Sequence, residues 1–209
     1  MKHKKLHIIT TTFFQTFPNF FLLTNIFCFW TFFSFAKAQE KSPYGRIQTP
    51  LGEILLELDD RTPNHRRSFI QLAEAGYWDS LTFNRVIPEF VAQGGCPDTP
   101  EGFTDPEYLL EPEFHPELTH TYGALGAGRD DNPGKLSARC QFYIVQNKDG
   151  LHRLDGNYTV FGQVIQGMEV IDQLVKLARD QNNQPLSPVT LKIDIIYLSK
   201  KELNQLLNH

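Results

Sequence analysis

The stretch Phe83-Asn84-Arg85-Val86-Ile87-Pro88-Glu89-Phe90-Val91-Ala92-Gln93-Gly94-Gly95 decides the fold. It places one arginine, several apolar side chains and one glutamine on two adjoining extended segments, with a proline between them and a glycine pair after them. Alternate side chains of a strand share a face, so Phe83, Arg85 and Ile87 are predicted to point one way. Asn84 is predicted to point the other way. An arginine among apolar neighbours on a strand indicates an apolar groove with one fixed cation.

The first 38 residues have the pattern of an export signal. Three lysines form a basic start, an apolar stretch covers residues 13–35, and Ala36-Lys37-Ala38 has the small-x-small form of a signal-peptidase site. We therefore predict that residues 1–38 are a cleaved signal peptide. An uncleaved N-terminal anchor is the alternative, although an apolar span of residues 20–35 is short for crossing a bilayer.

Charge and length restrict the function of the remaining residues 39–209. The whole chain has a net charge of −4, and removing the four lysines of residues 1–38, which contain no acidic residue, takes it to −8. An acidic chain without basic clusters gives no electrostatic reason to expect a nucleic-acid partner. The length suits one domain with a single core.

Turn and capping signals outline the first elements. Pro50-Leu51-Gly52 separates a strand that opens at Ile47 from a second strand over residues 53–58, which predicts a hairpin. Thr62 as the N-cap and Pro63 at the first helical position predict an amphipathic helix that ends at a glycine.

The rest of the chain contains more strands and one more helix. We predict strands over residues 140–145, 160–164 and 189–197, and a helix over residues 167–179. Residues 39–43 are predicted to be a short polar linker. Many strands with two helices and no βαβ alternation favour an antiparallel barrel over an open parallel sheet.

Two polar or small-residue segments are open to several interpretations. Residues 123–128 are almost free of side chains, which lets another backbone or a peptide ligand come close. Four acidic residues are interpreted as solvated loop carboxylates, because no ligand spacing supports a metal or glycosidase site: Glu111, Glu113, Asp130 and Asp131. His115 and His120, in the same loop as Glu113, are interpreted as ordinary solvated histidines.

Two further segments extend the pattern: Gln141-Phe142-Tyr143-Ile144-Val145 and Leu154-Asp155-Gly156-Asn157-Tyr158-Thr159-Val160-Phe161-Gly162. Together with residues 83–95, in this order, they resemble the cyclophilin family of peptidyl-prolyl cis-trans isomerases. The resemblance covers about residues 44–199. It implies a mainly β fold, a closed eight-stranded antiparallel barrel capped by two α-helices, with residues 200–209 as a peripheral tail.

The resemblance also implies a role for individual residues. Arg85 is expected to be the catalytic group, and Gln93 and Gln141 to bind the substrate backbone and orient it. The backbone of Gly128 and Arg129 is expected to hold the residue before the proline. The proline pocket is expected to be lined by Phe90, Val91, Tyr143 and Leu154, with Ile87 beside it. The far side of the groove is expected to be closed by Tyr158.

This chain departs from the family's usual pattern at several positions. Asn84 replaces the usual histidine, Tyr143 a common phenylalanine and Val91 a common methionine. Arg153 stands where a tryptophan often precedes Leu-Asp-Gly, which implies poor sensitivity to cyclosporin. Gly128 and Arg129 replace a common Ala-Asn pair.

Two cysteines, Cys96 and Cys140, lie outside the predicted signal. In an exported protein they could form a disulfide, or they could be two separate half-buried thiols. The resemblance brings them close, since each lies beside a strand that carries one of the two site glutamines.

These patterns lead to a functional expectation. The chain is expected to accelerate rotation of X-Pro bonds in exported proteins, without a cofactor or metal, as a monomer in the periplasm. Its partners would be proline-containing segments of unfolded or exported proteins, and a membrane only if residues 1–38 are retained, with the domain outside. The alternatives are a proline-peptide binding or chaperone module with little turnover, and a scaffold role for an anchored domain.

Overall fold

In this computed structural model the described residues are 40–96 and 108–208. The predicted signal or anchor, residues 1–38, lies outside them. Within those two ranges, no helix is both long enough and apolar enough to cross a membrane.

The described residues form ten strands, three α-helices and one 3-10 turn. The strands are β1 Lys41–Thr49, β2 Gly52–Leu58, β3 Thr82–Val86, β4 Val91–Gly95, β5 Leu109–Leu110, β6 Ala124–Ala127, β7 Ser137–Ala138, β8 Gln141–Val145, β9 Val160–Gln166 and β10 Lys192–Ser199. The helices are α1 Pro63–Glu74, α2 Met168–Leu174 and α3 Lys200–Leu207, and the 3-10 turn covers His152–Leu154.

Eight strands form one antiparallel sheet in the order β10-β1-β2-β9-β6-β8-β4-β3, and β5 and β7 form a separate pair. The edge strands β3 and β10 meet near a single bridge between Thr82 and Thr190. Backbone hydrogen bonds flank it, from the Phe83 amide to Val189 at 3.0 Å and from the Leu191 amide to Leu81 at 2.8 Å. The mainly β, eight-stranded fold is confirmed, with one seam of the barrel joined by a bridge in place of a continuous ladder.

The predicted linker over residues 39–43 is wrong for its last three members. β1 begins at Lys41, and Lys41, Ser42 and Pro43 pair with Ser199, Leu198 and Tyr197 of β10. Backbone pairing does not require apolar side chains, which is why a polar segment can extend β1 along β10. The Lys41 ammonium also lies 2.9 Å from the Glu202 carboxylate.

Residues 200–207 form α3 directly after β10. Ser199 and Glu202 form a capping box, in which each side chain bonds the backbone amide of the other. The hydrogen bond from the Ser199 amide, helped by Lys41, lowers the pKa of Glu202 to about 2. The predicted tail is therefore a capped helix.

A β-bulge changes the predicted faces of the first motif. Phe83 pairs with Gly94 and Arg85 pairs with Gln93, so Asn84 is an extra residue on β3. Phe83 and Val86 are both buried in the core, whereas Arg85 is half-buried. The prediction that Phe83 and Arg85 share a face is wrong, because the bulge interrupts the alternation between them.

α1 packs its aromatic side into the main core. The ring centroid of Phe69 lies 4.8 Å from that of Trp78 and 5.7 Å from that of Phe161. α2 adds the buried side chains Val170, Ile171 and Leu174 to the same cluster. The predicted helix over residues 167–179 is too long, because Arg179 leaves the helix and forms a bridge with Pro185.

The carboxylate that caps α1 comes from a distant loop. Thr62 is the N-cap residue, but its side chain makes no capping hydrogen bond. The Glu113 carboxylate instead accepts from the amides of Asn64 at 3.0 Å and His65 at 2.9 Å. Its side chain is only 12% exposed, so the interpretation of Glu113 as a solvated loop carboxylate is wrong.

A disulfide joins Cys96 and Cys140, whose Cα atoms are 5.4 Å apart. Both residues are buried. The bond ties the residue that follows β4 to the residue that precedes β8, next to the two strands that carry Gln93 and Gln141. Of the two alternatives for the cysteines, the structure has the bonded one.

Candidate functional site

One pocket of about 270 Å³ brings together all but one of the predicted site residues. It is lined by Arg85, Phe90, Val91, Gln93, Gly128, Arg129, Gln141, Tyr143, Leu154 and Tyr158, and in addition by Arg153. These residues come from β3, β4, β8 and from the segments after β6 and around the 3-10 turn. The barrel wall therefore assembles the site from segments that are far apart in the sequence.

The pocket lies on the face of the sheet opposite the main core. Along β8, Phe142 and Ile144 belong to the main core cluster, whereas Tyr143 and Val145 belong to a second apolar cluster. Val91 is in that second cluster, and Phe90, Leu154 and Tyr158 pack against it. The predicted strand over residues 140–145 is confirmed by β8, and its alternating side chains supply the pocket with an apolar floor.

Ile87 lies outside the pocket lining. Its amide donates to the Val91 carbonyl at 2.9 Å, and its carbonyl accepts from the Phe90 amide at 3.2 Å. These bonds close the turn between β3 and β4. Ile87 thus belongs to the turn that positions Phe90 and Val91, and its place beside the proline pocket stays a prediction.

Gly126 of β6 and Gly128, directly after β6, make room for the side chains of β8. A Cβ atom added at Gly126 would lie 2.2 Å from Cζ of Tyr143, and one at Gly128 would lie 2.3 Å from Oε1 of Gln141. Contacts this short are excluded by van der Waals repulsion. The close approach predicted for residues 123–128 is therefore made by the protein's own side chains, which line the pocket.

Arg85 lies on one wall of the pocket. Within residues 40–96 and 108–208, one hydrogen bond from its guanidinium to the protein is found. Its Nη1 donates to Oε1 of Gln93 at 3.3 Å, and its guanidinium lies 5.7 Å from the ring centroid of Phe90. A guanidinium has five N–H donors and does not titrate near neutral pH. The pocket therefore combines an apolar floor with a permanent cationic donor on its wall.

The two predicted backbone-binding glutamines have different surroundings. Gln93 is half-buried and accepts from Arg85, whereas Gln141 is 4% exposed and its Nε2 donates to the Cys96 carbonyl at 3.3 Å. The Gly128 amide donates to the Gln141 carbonyl at 2.9 Å. Gln93 orients Arg85 directly, and Gln141 is tied to the disulfide and to Gly128.

Sequence reasoning missed the hydrogen-bonded chain below the floor. The Tyr143 hydroxyl lies 2.8 Å from Nε2 of His120, whose Nδ1 lies 2.6 Å from the Asp155 carboxylate. The second oxygen of that carboxylate lies 2.9 Å from Nδ1 of His152. His120 has no exposed surface, so the interpretation of it as a solvated loop histidine is wrong.

Burial determines the charge states within this chain. Desolvation lowers the pKa of His120 despite the opposing effect of Asp155, and it raises the pKa of Tyr143 well above 10.0. Desolvation alone would raise the pKa of Asp155, but its hydrogen bonds from His120 and His152 hold it below 3.8. At neutral pH the pocket floor thus rests on a neutral imidazole and a neutral phenol.

Two arginines lie on the rim against aromatic rings. The Arg129 guanidinium lies 4.4 Å from the ring centroid of Tyr158, and that of Arg153 lies 5.1 Å from that of Phe90. Arg129 also donates to the carbonyls of Asn157 at 3.1 Å and Asp130 at 2.7 Å. Arg153 was noted from the sequence only as a departure, and its place in the pocket was not predicted.

No group of three or more histidine, cysteine or acidic side chains within residues 40–96 and 108–208 could hold a metal ion. The pocket lining consists of three arginines, two glutamines, one glycine, two aliphatic side chains and three aromatic rings. Such a set can hold an apolar ring and donate hydrogen bonds to a peptide.

Comparisons with known proteins agree with this geometry. Residues 44–193 match the model of the family described as cyclophilin type peptidyl-prolyl cis-trans isomerase/CLD. The peptidyl-prolyl cis-trans isomerase ppi1 of Schizosaccharomyces pombe is 34% identical over 148 residues, which are 69% of this chain and 93% of that protein. CYP18-2 of Arabidopsis thaliana, another peptidyl-prolyl cis-trans isomerase, is 31% identical over 161 residues, 75% of this chain and 94% of that protein.

A solved structure is also similar. The cyclophilin type peptidyl-prolyl cis-trans isomerase of Cryptosporidium parvum, crystallised in the presence of the dipeptide Ala-Pro, has a TM-score of 0.65 and 28% sequence identity. The match covers 75% of this chain and 99% of that one. The barrel, the pocket and the match over residues 44–193 lead to one conclusion: the chain belongs to the cyclophilin-type peptidyl-prolyl cis-trans isomerase family.

Proposed function

We propose that this protein accelerates the cis-trans rotation of X-Pro bonds in exported proteins and so assists their folding. The observation that carries the proposal is the position of Arg85, a permanent cation on the wall of an apolar pocket that is open to a peptide. The occurrence of Ala-Pro with a similar solved structure supports a proline-containing ligand.

The chemistry needs no covalent step. An X-Pro bond isomerises slowly, because twisting the amide destroys its resonance at a cost of about 18–20 kcal/mol. As the bond twists, the lone pair of the prolyl nitrogen localises and becomes a hydrogen-bond acceptor. A donor fixed at that position stabilises the twisted state more than either planar state, which is the condition for catalysis.

Arg85 is the proposed donor. Its hydrogen bond to Gln93 orients the guanidinium towards the pocket before substrate binds, which reduces the reorganisation needed when the nitrogen becomes an acceptor. Phe90, Val91, Tyr143 and Leu154 would line the pocket for the proline ring. Ile87 would lie beside that pocket, and Tyr158 would close the far side of the groove. Gln93, Gln141 and the backbone of Gly128 and Arg129 would bind the peptide backbone on either side.

Export is proposed from two features of the chain. Residues 1–38 have the basic, apolar and small-x-small pattern of a signal peptide. Disulfides such as Cys96–Cys140 persist mainly in oxidising compartments. The periplasm is the proposed site of action, and a membrane-anchored domain outside the membrane is the alternative if residues 1–38 are retained; N-terminal sequencing of the mature protein distinguishes the two.

The test of the catalytic role is a coupled isomerisation assay on a peptide that contains Ala-Pro. Replacing Arg85→Ala removes the donor, so kcat/KM is expected to fall about tenfold or more, since each tenfold corresponds to about 1.4 kcal/mol of lost transition-state stabilisation. Peptide affinity, measured by NMR titration, is expected to change much less. Arg67→Ala, at an exposed position on α1 away from the pocket, is the matched control.

Equal turnover by the wild type and Arg85→Ala would refute the role of Arg85. The alternative function is a proline-peptide binding module, and the feature that favours it is the unusual rim with Arg129 and Arg153. Peptide binding with no turnover in the wild type would establish that alternative.

A further inference from the structure

Three arginines line the same pocket in an otherwise acidic protein. Arg85 is on the wall, and Arg129 and Arg153 are on the rim. The chain as a whole has a net charge of −4, with 24 acidic against 20 basic residues. Three cations around a pocket of 270 Å³ give that pocket a positive charge, opposite in sign to the net charge of the chain.

None of the three is neutralised by a carboxylate in the described part of the chain. The ion pairs of residues 40–96 and 108–208 involve other basic side chains, such as Arg46 with Asp194 and Arg61 with Asp59. The Asp155 carboxylate is directed to His120 and His152. The pocket therefore keeps its positive charge.

The rim arginines are held by contacts that leave that charge in place. Aromatic rings hold Arg129 and Arg153, and the hydrogen bonds of Arg129 go to neutral backbone carbonyls. Fixing a guanidinium in this way lowers the conformational entropy that it would lose on binding an anion. Guanidinium groups match carboxylates particularly well, because two parallel N–H groups can bond both oxygens.

We propose that the site prefers proline segments with a carboxylate side chain next to the proline. This preference rests on the proposed function of the pocket. In an extended peptide the neighbours of a bound proline lie about 3.3 Å along the chain, close enough for Asp or Glu side chains to reach the rim. The apolar floor selects the proline, and the rim arginines select its acidic neighbours.

The experiment compares pairs of peptides that differ only in charge. One pair has Glu or Gln immediately before the proline, and a second pair has Glu or Gln immediately after it. For at least one pair, kcat/KM for the Glu peptide is expected to exceed that for the Gln peptide by about three- to tenfold at low salt. The ratio is expected to fall towards one at about 0.5 M salt, where charges are screened within a few ångströms.

Variants identify the source of the preference. Arg129→Gln and Arg153→Gln are each expected to lower the Glu/Gln ratio about two- to threefold, since each removes one of the rim charges. Arg153→Lys keeps the charge and is expected to retain most of the ratio. Arg67→Gln changes the net charge equally at an exposed position on α1 and is expected to leave the ratio unchanged. Thermal melting of each variant checks that it is folded.

The outcomes separate this proposal from the proposed function. If the Gln peptides are turned over and the Glu/Gln ratio of kcat/KM is one in both pairs, the charge preference is refuted and the proposed isomerase function stands. If neither Glu nor Gln peptides are turned over, the proposed isomerase function is refuted. The affinities for the Glu and Gln peptides are then compared by NMR titration. Equal affinities would overturn the preference, and tighter binding of the Glu peptides would support it.

Discussion

Tyr143 belongs to both the pocket and the interior. Its ring forms part of the floor above Gly126, while its hydroxyl contacts the fully buried His120. His120 in turn is held by Asp155, close to the 3-10 turn that carries Leu154. One hydroxyl thus connects the surface that would receive proline with the support behind it.

Removing this hydroxyl separates the two roles. Tyr143→Phe keeps the ring but leaves Nε2 of His120 buried without a partner, which is expected to lower the free energy of unfolding by about 1–3 kcal/mol. Because the ring stays over Gly126, kcat/KM on an Ala-Pro peptide is expected to change less than about threefold. Chemical denaturation and the isomerisation assay measure the two effects.

Tyr158→Phe is the matched control, since its hydroxyl has no hydrogen bond to any residue within the described ranges. Its unfolding free energy is expected to stay within about 0.5 kcal/mol of the wild type. Equal stabilities of Tyr143→Phe and the wild type would contradict the supporting role of the hydroxyl.

The residues that the sequence could identify are those in ordered motifs. Arg85, Gln93 and Gln141 were predicted, and all three line the pocket. The role of His120 was not predictable, because its hydrogen-bond partners Tyr143 and Asp155 are 23 and 35 residues away. Asn84 was assigned to a face by alternation, and a bulge, which no local pattern announces, changed its environment.

At the level of elements, the start of α1 depends on a loop. The Glu113 carboxylate accepts two backbone amides of the first turn and also contacts Nδ1 of His65 at 2.7 Å. Burial alone would raise the pKa of Glu113, but these hydrogen bonds hold it below 4.5. Desolvation lowers the pKa of His65 below 6.5, so its ring is neutral at neutral pH.

Glu113→Ala removes this cap. The free energy of unfolding at neutral pH is expected to fall by about 1–3 kcal/mol, because two amides lose a charged acceptor. A lowered carboxylate pKa stabilises the fold above 4.5 and loses that effect as the pH falls through the folded value, so the difference between variant and wild type should shrink in acid. Urea denaturation at several pH values measures this.

Glu111→Ala removes an exposed carboxylate from the same loop and is the control. A loss of stability equal to that of Glu113→Ala would show that the loop, and not the cap, matters. A difference that persists unchanged into acid would contradict the assigned ionisation of Glu113.

Hydrophobic periodicity and turn or capping residues predicted most elements but not all of their ends. Pro63 was sufficient to predict the start of α1, and the apolar residues of 140–145 were sufficient to predict β8, since both signals are local. The length of α2 was overestimated, because apolar residues continue after Leu174 although the backbone leaves the helix. The pairing of Lys41 with Ser199 joins residues 158 positions apart, and no polar-segment rule could detect it.

At the scale of the whole molecule, one disulfide connects the ends of two strands, β4 and β8, that form the wall of the site. The disulfide Cys96–Cys140 closes a sequence separation of 44 residues. The Cys96 carbonyl accepts from Asn84 at 3.1 Å and from Gln141 at 3.3 Å. The bond therefore lies where β3, β4 and β8 meet.

Reduction of this bond is expected to destabilise the fold. Closing a loop of this length contributes about 2–4 kcal/mol, which corresponds to a fall in Tm of about 5–15 °C for a domain of this size. Calorimetry with and without reductant measures it. The double variant Cys96→Ala, Cys140→Ala is expected to melt near the reduced wild type and to be insensitive to reductant; an unchanged Tm on reduction would contradict the contribution of the bond.

The global fold was predictable because three motifs in order are a strong constraint on topology, and the eight-stranded sheet confirms it. The sequence left the two cysteines open between a bond and separate thiols, since no spacing rule sets the distance between strands. It also could not reveal that the seam between β3 and β10 is a single bridge.

Gly126 of β6 and Gly128, directly after it, have a consequence for how this groove can change over evolutionary time. Because Gly126 and Gly128 face Tyr143 and Gln141, bulk can be added to one strand only if it is removed from the other. Mutations at these positions should be strongly epistatic, with a larger residue at 126 tolerated only alongside a smaller one at 143. A change in the shape of the groove at these positions would therefore require paired substitutions, one on each of the two facing segments.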